Sequence, residues 1–217
     1  MDNKEKFVIT IAREIGSGGR TVGRKLAAKL GVFYSDKELI RNLREKFNLT
    51  TYAIEKLKGE KKSWLADFIH LVAPVPKASM IADTDSRFIQ EIRGEVTTDD
   101  VFKAESEILN AIADEGSCVI AGRSGFFVLK DHPNKIDVFI TASKENRIKR
   151  IASKQHMTEA EAEIIMNSID ESRDNYVKRY TGKTRYDARN YDLVINADNH
   201  TEDEIADIIL SYFDYKK

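Results

Sequence analysis

A single cysteine among 217 residues rules out an intramolecular disulfide framework. Its setting, Cys118-Val119-Ile120-Ala121, reads as core packing rather than as a nucleophile. Histidine is equally sparse: His70, His132, His156 and His200 stand far apart without ligand spacing, which argues against a zinc site. Net charge is nearly absent. Lys plus Arg number 35 and Asp plus Glu 36, so no overall field recruits nucleic acid or an anionic membrane, and any anion site has to be local. No apolar stretch approaches the roughly 18 residues of a membrane-spanning helix, and the charged start MDNKEK is not followed by a cleavage-type segment. These features lead to the expectation of a soluble, cytoplasmic protein with no membrane or nucleic-acid partner. Internal repeats and low-complexity linkers are also missing, and the length fits one domain, or one domain with an insertion.

What is present is organised around Phe7 to Thr21, FVITIAREIGSGGRT. The run Phe7-Val8-Ile9-Thr10-Ile11 is short and rich in β-branched residues, the pattern of a strand buried on both faces. Val22, Leu26 and Leu30 then recur at a spacing of four, with Gly31 as a stop, which predicts an amphipathic helix. Between strand and helix, Gly16, Gly18 and Gly19 permit a concavity of backbone N–H groups at a helix N-terminus, where anions bind. The usual phosphate-loop pattern, G-x-x-x-x-G-K-[ST], is broken here: Arg20 stands before Thr21, and Gly19 before that. A tight strand-to-helix turn without a ligand is the alternative reading.

Further along, Val32 to Tyr34 predicts a second strand that delivers Ser35, Asp36, Lys37 and Glu38 to its carboxyl end, where open α/β sheets bind ligands. Asp36 is either a functional carboxylate or the N-cap of a helix over Lys37 to Phe47, on which Arg41 shares the side of Lys37. Residues 48–99, with Pro74, Pro76 and the run KGEKK, read as a mostly helical insertion or acceptor-side flap. A helix over Val101 to Ala113 leads into the strand Cys118 to Ala121, which ends in Gly122-Arg123-Ser124-Gly125. Arg123 is suited to bidentate phosphate contact, its bland alternative being a surface-loop arginine. Ile136 to Ile140 is a further strand, and Ser143 caps a basic helix on which Arg147 and Arg150 share a face. Thr158 with Glu161 forms a capping box opening a long helix that carries Asp170 and Arg173, which on the surface would simply pair. A last strand, Asp192 to Asn196, precedes a second capping box, Thr201 with Glu204. The alternation of strands and helices predicts parallel βαβ units.

ITIAREIGSGGRT…RKLAAKLGVFYSDKE, IAGRSG, DVFITASKENRIKRI and YDLVINADNHTEDEIADII together resemble the cytidylate kinase family, and its divergent cytidylate kinase-like branch in particular. The resemblance covers roughly the first 45 and the last 120 residues. It implies an α/β, P-loop NTPase fold: a parallel sheet of about five strands flanked by helices, in one domain over 1–217, with the insertion at 48–99 and an arginine-bearing lid at 143–183. It also implies ATP-dependent phosphoryl transfer, with Mg²⁺, to a small acceptor such as the pyrimidine nucleoside monophosphates CMP and dCMP. A kinase of another small acceptor, or a nucleotide sensor without transfer, are the competing readings. Carried onto this sequence, Gly16, Ser17, Gly18, Gly19, Arg20 and Thr21 are the ATP phosphate loop, with Thr21 toward the metal. Asp36, Arg41 and Arg123 face the acceptor monophosphate, Arg147 and Arg150 are lid arginines on the transferring phosphate, and Asp170 with Arg173 read the acceptor. Gly19 stands at the family's lysine, and Arg20 is the expected substitute; Lys37, Ile40 and Met166 replace a serine, a tyrosine and an arginine of the pattern.

Overall fold

The computed structural model describes residues 5–37, 39–40 and 99–216, and elements are numbered over those residues. In chain order they are β1 (Val8–Arg13), α1 (Gly19–Leu30), β2 (Phe33–Asp36), α2 (Asp99–Glu115), β3 (Cys118–Ala121), α3 (Gly125–Val128), β4 (Lys135–Thr141), α4 (Lys144–Gln155), α5 (Glu159–Thr181), β5 (Leu193–Asn196) and α6 (Glu202–Tyr215). Arg41 and residues 48–98 of the expected insertion lie outside the described residues.

The five strands form one parallel sheet in the order β2-β3-β1-β4-β5. This is the α/β, P-loop NTPase fold that the resemblance implies, with β1 at the centre and paired on both sides. Alternate residues of β1 and β3 explain the layers, because side chains along a strand point to opposite faces. Ile9, Ile11 and Val119 face α1 and α6, meeting Val22, Leu26, Ile205 and Ile209. Val8, Cys118 and Ile120 face the other way, onto Ile108, Leu109 and Ile112 of α2. Strands covered on both faces are what the near-continuous apolar runs predicted.

Local signals in the sequence act as read. Gly31 closes α1 at φ 66°. Ser143 accepts from the Asn146 N–H, and both capping boxes are present, at Thr158 with Glu161 and at Thr201 with Glu204. Several boundaries differ by one or two residues, β2 running on to Asp36 and α2 spanning Asp99–Glu115. β1 runs on to Arg13, two residues past Ile11, because Ala12 and Arg13 continue the pairing with Phe139 and Ile140 of β4. The residues after Gly122 turn into the short helix α3, which the sequence reading did not include. α4 and α5 pack as a hairpin around Ile148, Ile151, Ala162, Met166 and Ile169, and Ile15 of the glycine loop is buried in that same cluster. Among the described residues, no helix is long and apolar enough to cross a membrane.

Candidate active site

The carboxyl ends of β1 and β3 lie side by side, and α1 leaves from this edge, where ligands bind in sheets of this kind. The connecting loop turns on Gly16 at φ 81° and Gly18 at φ 83°, left-handed values that glycine adopts without strain. Gly18 is the N-cap of α1 and has no side chain to cap it, and the first turn carries no acidic residue. The first N–H groups of α1 are thus offered to an anion from outside the loop. The loop is also tightly enclosed: a Cβ at Gly16 would lie 2.8 Å from the Arg147 carbonyl oxygen, and one at Gly18 would lie 3.2 Å from Arg150 Nη2.

The underside of the loop is held by a buried ionic network. Arg147 donates from Nε to the Ile15 carbonyl at 2.8 Å, from Nη1 to Glu14 Oε1 at 3.0 Å, and from Nη2 to Asp170 Oδ2. Asp170 Oδ1 accepts the Ile15 N–H at 3.1 Å, and Arg185 Nη1 stands 3.6 Å from the same oxygen. Glu14 in turn accepts from the Thr141 hydroxyl. Ser17 is buried and donates to the Glu14 carbonyl at 2.9 Å. Asp170 and Arg147 therefore grip the loop backbone from below. Arg173 stands 3.9 Å from Asp170, and because Asp170 is buried the two do not form a surface pair.

Arg147 and Arg150, three residues apart, diverge. Arg147 turns under the loop, whereas Arg150 crosses over Gly18 and pairs with Glu202 of α6. Burial alone would raise the Glu202 carboxyl, but the Arg150 guanidinium holds it below the usual range. Asp36 serves as a cap, accepting the Leu39 N–H at 3.2 Å, while its other oxygen faces Arg20 Nε at 3.6 Å and Arg24 at 3.7 Å. Arg20 is accordingly directed to the end of β2. Arg123 is not the surface-loop arginine of the alternative reading: its side chain is 8% exposed, pairs with the buried Glu105 and lies 5.5 Å from the ring centre of Tyr176. Arg123 and Ser124 adopt φ 56° and 53°, so the chain turns sharply at this point. Burial first, and Glu105 with it, pushes the Tyr176 phenol well above its ordinary value, so it stays protonated.

Two cavities open at this edge. The smaller, about 50 Å³, lies between the glycine loop and α4, against Gly16, Gly18, Arg20, Thr21, Arg150 and Lys154. The larger, about 430 Å³, is walled by Lys37, Arg123, Ser124, Tyr176, Arg179, Tyr180 and Arg185. Arg13 and Arg173 line both.

The sequence profile of the cytidylate kinase-like family matches residues 8–199. The chain belongs to the cytidylate kinase-like family. It is 28% identical over 212 residues to a cytidylate kinase of Sulfurisphaera tokodaii, covering 96% of each chain. It is 25% identical over 209 residues to a cytidylate kinase of Sulfolobus acidocaldarius, covering 96% of this chain and 94% of that one. Among solved structures, an uncharacterized protein of Eubacterium ventriosum superimposes with a TM-score of 0.69 at 23% identity, over 96% of this chain and 99% of the other. At that identity the likeness concerns the fold.

Against the residues that the cytidylate kinase-like resemblance implies, the structure gathers Gly16, Gly18, Gly19, Arg20, Thr21 and Arg150 round the small cavity. It brings Arg123 and Arg173 to the large one. Ser17, Arg147 and Asp170 sit behind the loop, and Arg41 is outside the described residues. Sequence reasoning passed over Arg13, Arg185, Glu105 and Tyr176. A signal for Arg13 existed: an arginine at a strand's carboxyl end, just before a glycine turn that lacks its lysine.

Proposed function

We propose that this chain is an ATP-dependent kinase whose acceptor already carries a phosphate, a pyrimidine nucleoside monophosphate such as CMP or dCMP. One observation carries the reading. The wall of the large cavity bears Arg13, Lys37, Arg123, Arg173, Arg179 and Arg185 and, among the described residues, no carboxylate or imidazole. Such a wall suits an anionic acceptor. A plain alcohol needs a base to take its proton, whereas the oxygen of a phosphate monoester is already ionised. Tyr176 and Tyr180 offer ring faces in the same wall, which suits an aromatic base. The names of the two cytidylate kinase relatives point the same way.

The donor site fits a nucleotide triphosphate on the structure's own features: an uncapped helix N-terminus, two left-handed glycines, and Arg150 and Lys154 alongside. Bound ATP would supply the terminal phosphoryl group, its bond to the bridging oxygen breaking toward ADP as a bond to the acceptor's phosphate oxygen forms. Arg173, shared by both cavities, neutralises charge where they meet, Arg150 closes over the loop, and Arg123 positions the acceptor. Arg147 and Asp170 act through the loop they hold. Among the described residues no cluster of three or more acidic, histidine or cysteine side chains could cage a metal. The Thr21 hydroxyl would be the side chain that helps hold Mg²⁺ at this site, beside phosphate oxygens and water.

The test is ADP release from ATP and Mg²⁺ with CMP, dCMP, UMP, AMP and GMP offered separately, beside shikimate and gluconate as phosphate-free alcohols. Stimulation by CMP or dCMP is expected. Stimulation by an alcohol alone would overturn the acceptor class, and ATP binding without any turnover would favour a sensor, the reading that the missing lysine at Gly19 keeps open.

A further inference from the structure

If the lysine of G-x-x-x-x-G-K falls on position 19, the second glycine of the pattern is Gly18 and the first falls on position 13. The chain thus has an arginine where the pattern begins with glycine, and a glycine where the pattern has its cation. The two departures meet in space. A Cβ at Gly19 would lie 2.6 Å from Arg13 Cβ and 3.0 Å from Arg13 Cγ, so a lysine at 19 and the arginine at 13 exclude one another. From there the Arg13 side chain crosses to the end of β3, where its guanidinium lies against Gly122 in the space a Cβ would fill; Gly122 has φ 87°. Arg13 lines both cavities. The backbone of Arg13 is fixed as well, its carbonyl accepting from Arg185 Nη2.

Other cations stand near the loop as well, Arg173 and Lys154 among those lining the small cavity. Arg20 faces Asp36, Arg147 is spent on Ile15, Glu14 and Asp170, and Arg150 pairs with Glu202. We infer that Arg13 is the phosphate-loop cation of this protein, reaching the terminal phosphate of the donor nucleotide from the end of β1 instead of from the start of α1. The loss of the lysine and the gain of the arginine are then one exchange, and Gly19 and Gly122 are the two glycines that make room for it. A planar guanidinium can bridge two phosphate oxygens where an ammonium meets them as a point charge. The inference rests on the proposed donor site, and it replaces Arg20 in the role expected from the sequence.

The experiment is calorimetric binding of ATP and of ADP, each with Mg²⁺, to the full chain and to three variants. Arg13→Met keeps the stem and removes the charge, Arg13→Lys keeps a charge, and Arg13→Gly with Gly19→Lys restores the ordinary pattern. The wild type is expected to prefer ATP over ADP. In Arg13→Met, ATP affinity should fall about tenfold or more and ADP affinity by less than about threefold. Arg13→Lys and the double variant should recover most of the preference, which a merely bracing arginine would not require. A wild type without ATP preference, an Arg13→Met variant that keeps it, or a folded double variant that lacks it would each overturn the assignment. If Arg13→Met fails to fold, the double variant decides; if both fail, Arg13 is a brace and the assignment falls. A wild type that prefers ATP through Arg13 yet serves no acceptor sinks the transfer reading alone. Turnover in Arg13→Met with an unchanged ATP preference sinks the Arg13 assignment alone.

Discussion

Arg147 illustrates how one side chain can fix a loop without lining the cavity above it. Its three donors go to a backbone carbonyl and two carboxylates, all at low exposure. Removing one member of such a buried ionic set leaves the others desolvated and uncompensated, which costs about 3–5 kcal/mol. Arg147→Met is therefore expected to lower unfolding free energy by that amount in urea titrations. Arg147→Lys should recover only part, because a lysine cannot offer three donors in one plane. The sequence singled out Arg147 but expected it to point over the loop rather than under it. Helical spacing put it on a face with Arg150, but its partners Glu14 and Asp170 lie 133 and 23 residues away and no local pattern announces them. Arg13 was hidden for a related reason. A strand's last residue is read as an end point until the tertiary structure shows where its side chain travels.

At the scale of elements, the end of α5 is tied to the segment that follows it by Asp174. That carboxylate accepts from Thr184 Oγ1 at 2.9 Å and from the Arg185 N–H at 3.1 Å, and pairs with Lys178 at 2.7 Å. Burial acting alone would raise its pKa. The contacts with Lys178, Thr184 and Arg185 outweigh that and hold it below the ordinary carboxylate value. A depressed folded-state pKa gives stability that is fully present above the unfolded value and is lost as pH falls through the folded one. Asp174→Asn should therefore be less stable by about 1–3 kcal/mol at neutral pH. The gap from wild type should narrow below about pH 4. Thermal melts over that range check this; a constant gap would mean that the charge of Asp174 contributes nothing. The same segment positions Arg185, so Asp174→Asn should also disturb the wall of the large cavity. The elements themselves were readable in advance because their signals are local: glycine stops, hydroxyl caps, apolar periods. The strand β1 runs longer than expected because β4 goes on pairing with its last two residues.

The described residues form a sheet sandwiched between helices, and the apolar alternation along them was enough to foresee that much. Strand order was not in the sequence pattern, since each βαβ unit fits more than one neighbour, and it was supplied by the structure. The centre of this sandwich holds the protein's one thiol. Cys118 is fully buried, and burial pushes it up to about 12. At pH 8 the folded protein should thus react with an aromatic disulfide reagent only through molecules that have opened the core. ATP at a hundred times its Kd should slow that reaction about a hundredfold, provided opening is global and the open form does not bind. A rate indifferent to ATP would mean that β3 opens by itself while the nucleotide site stays intact. Because the chain has no second sulfhydryl, each molecule can be marked once and only once. The accumulated mark then counts how many molecules have come apart since the reagent was added, which turns a residue with no part in the chemistry into a tally of the sheet's lifetime.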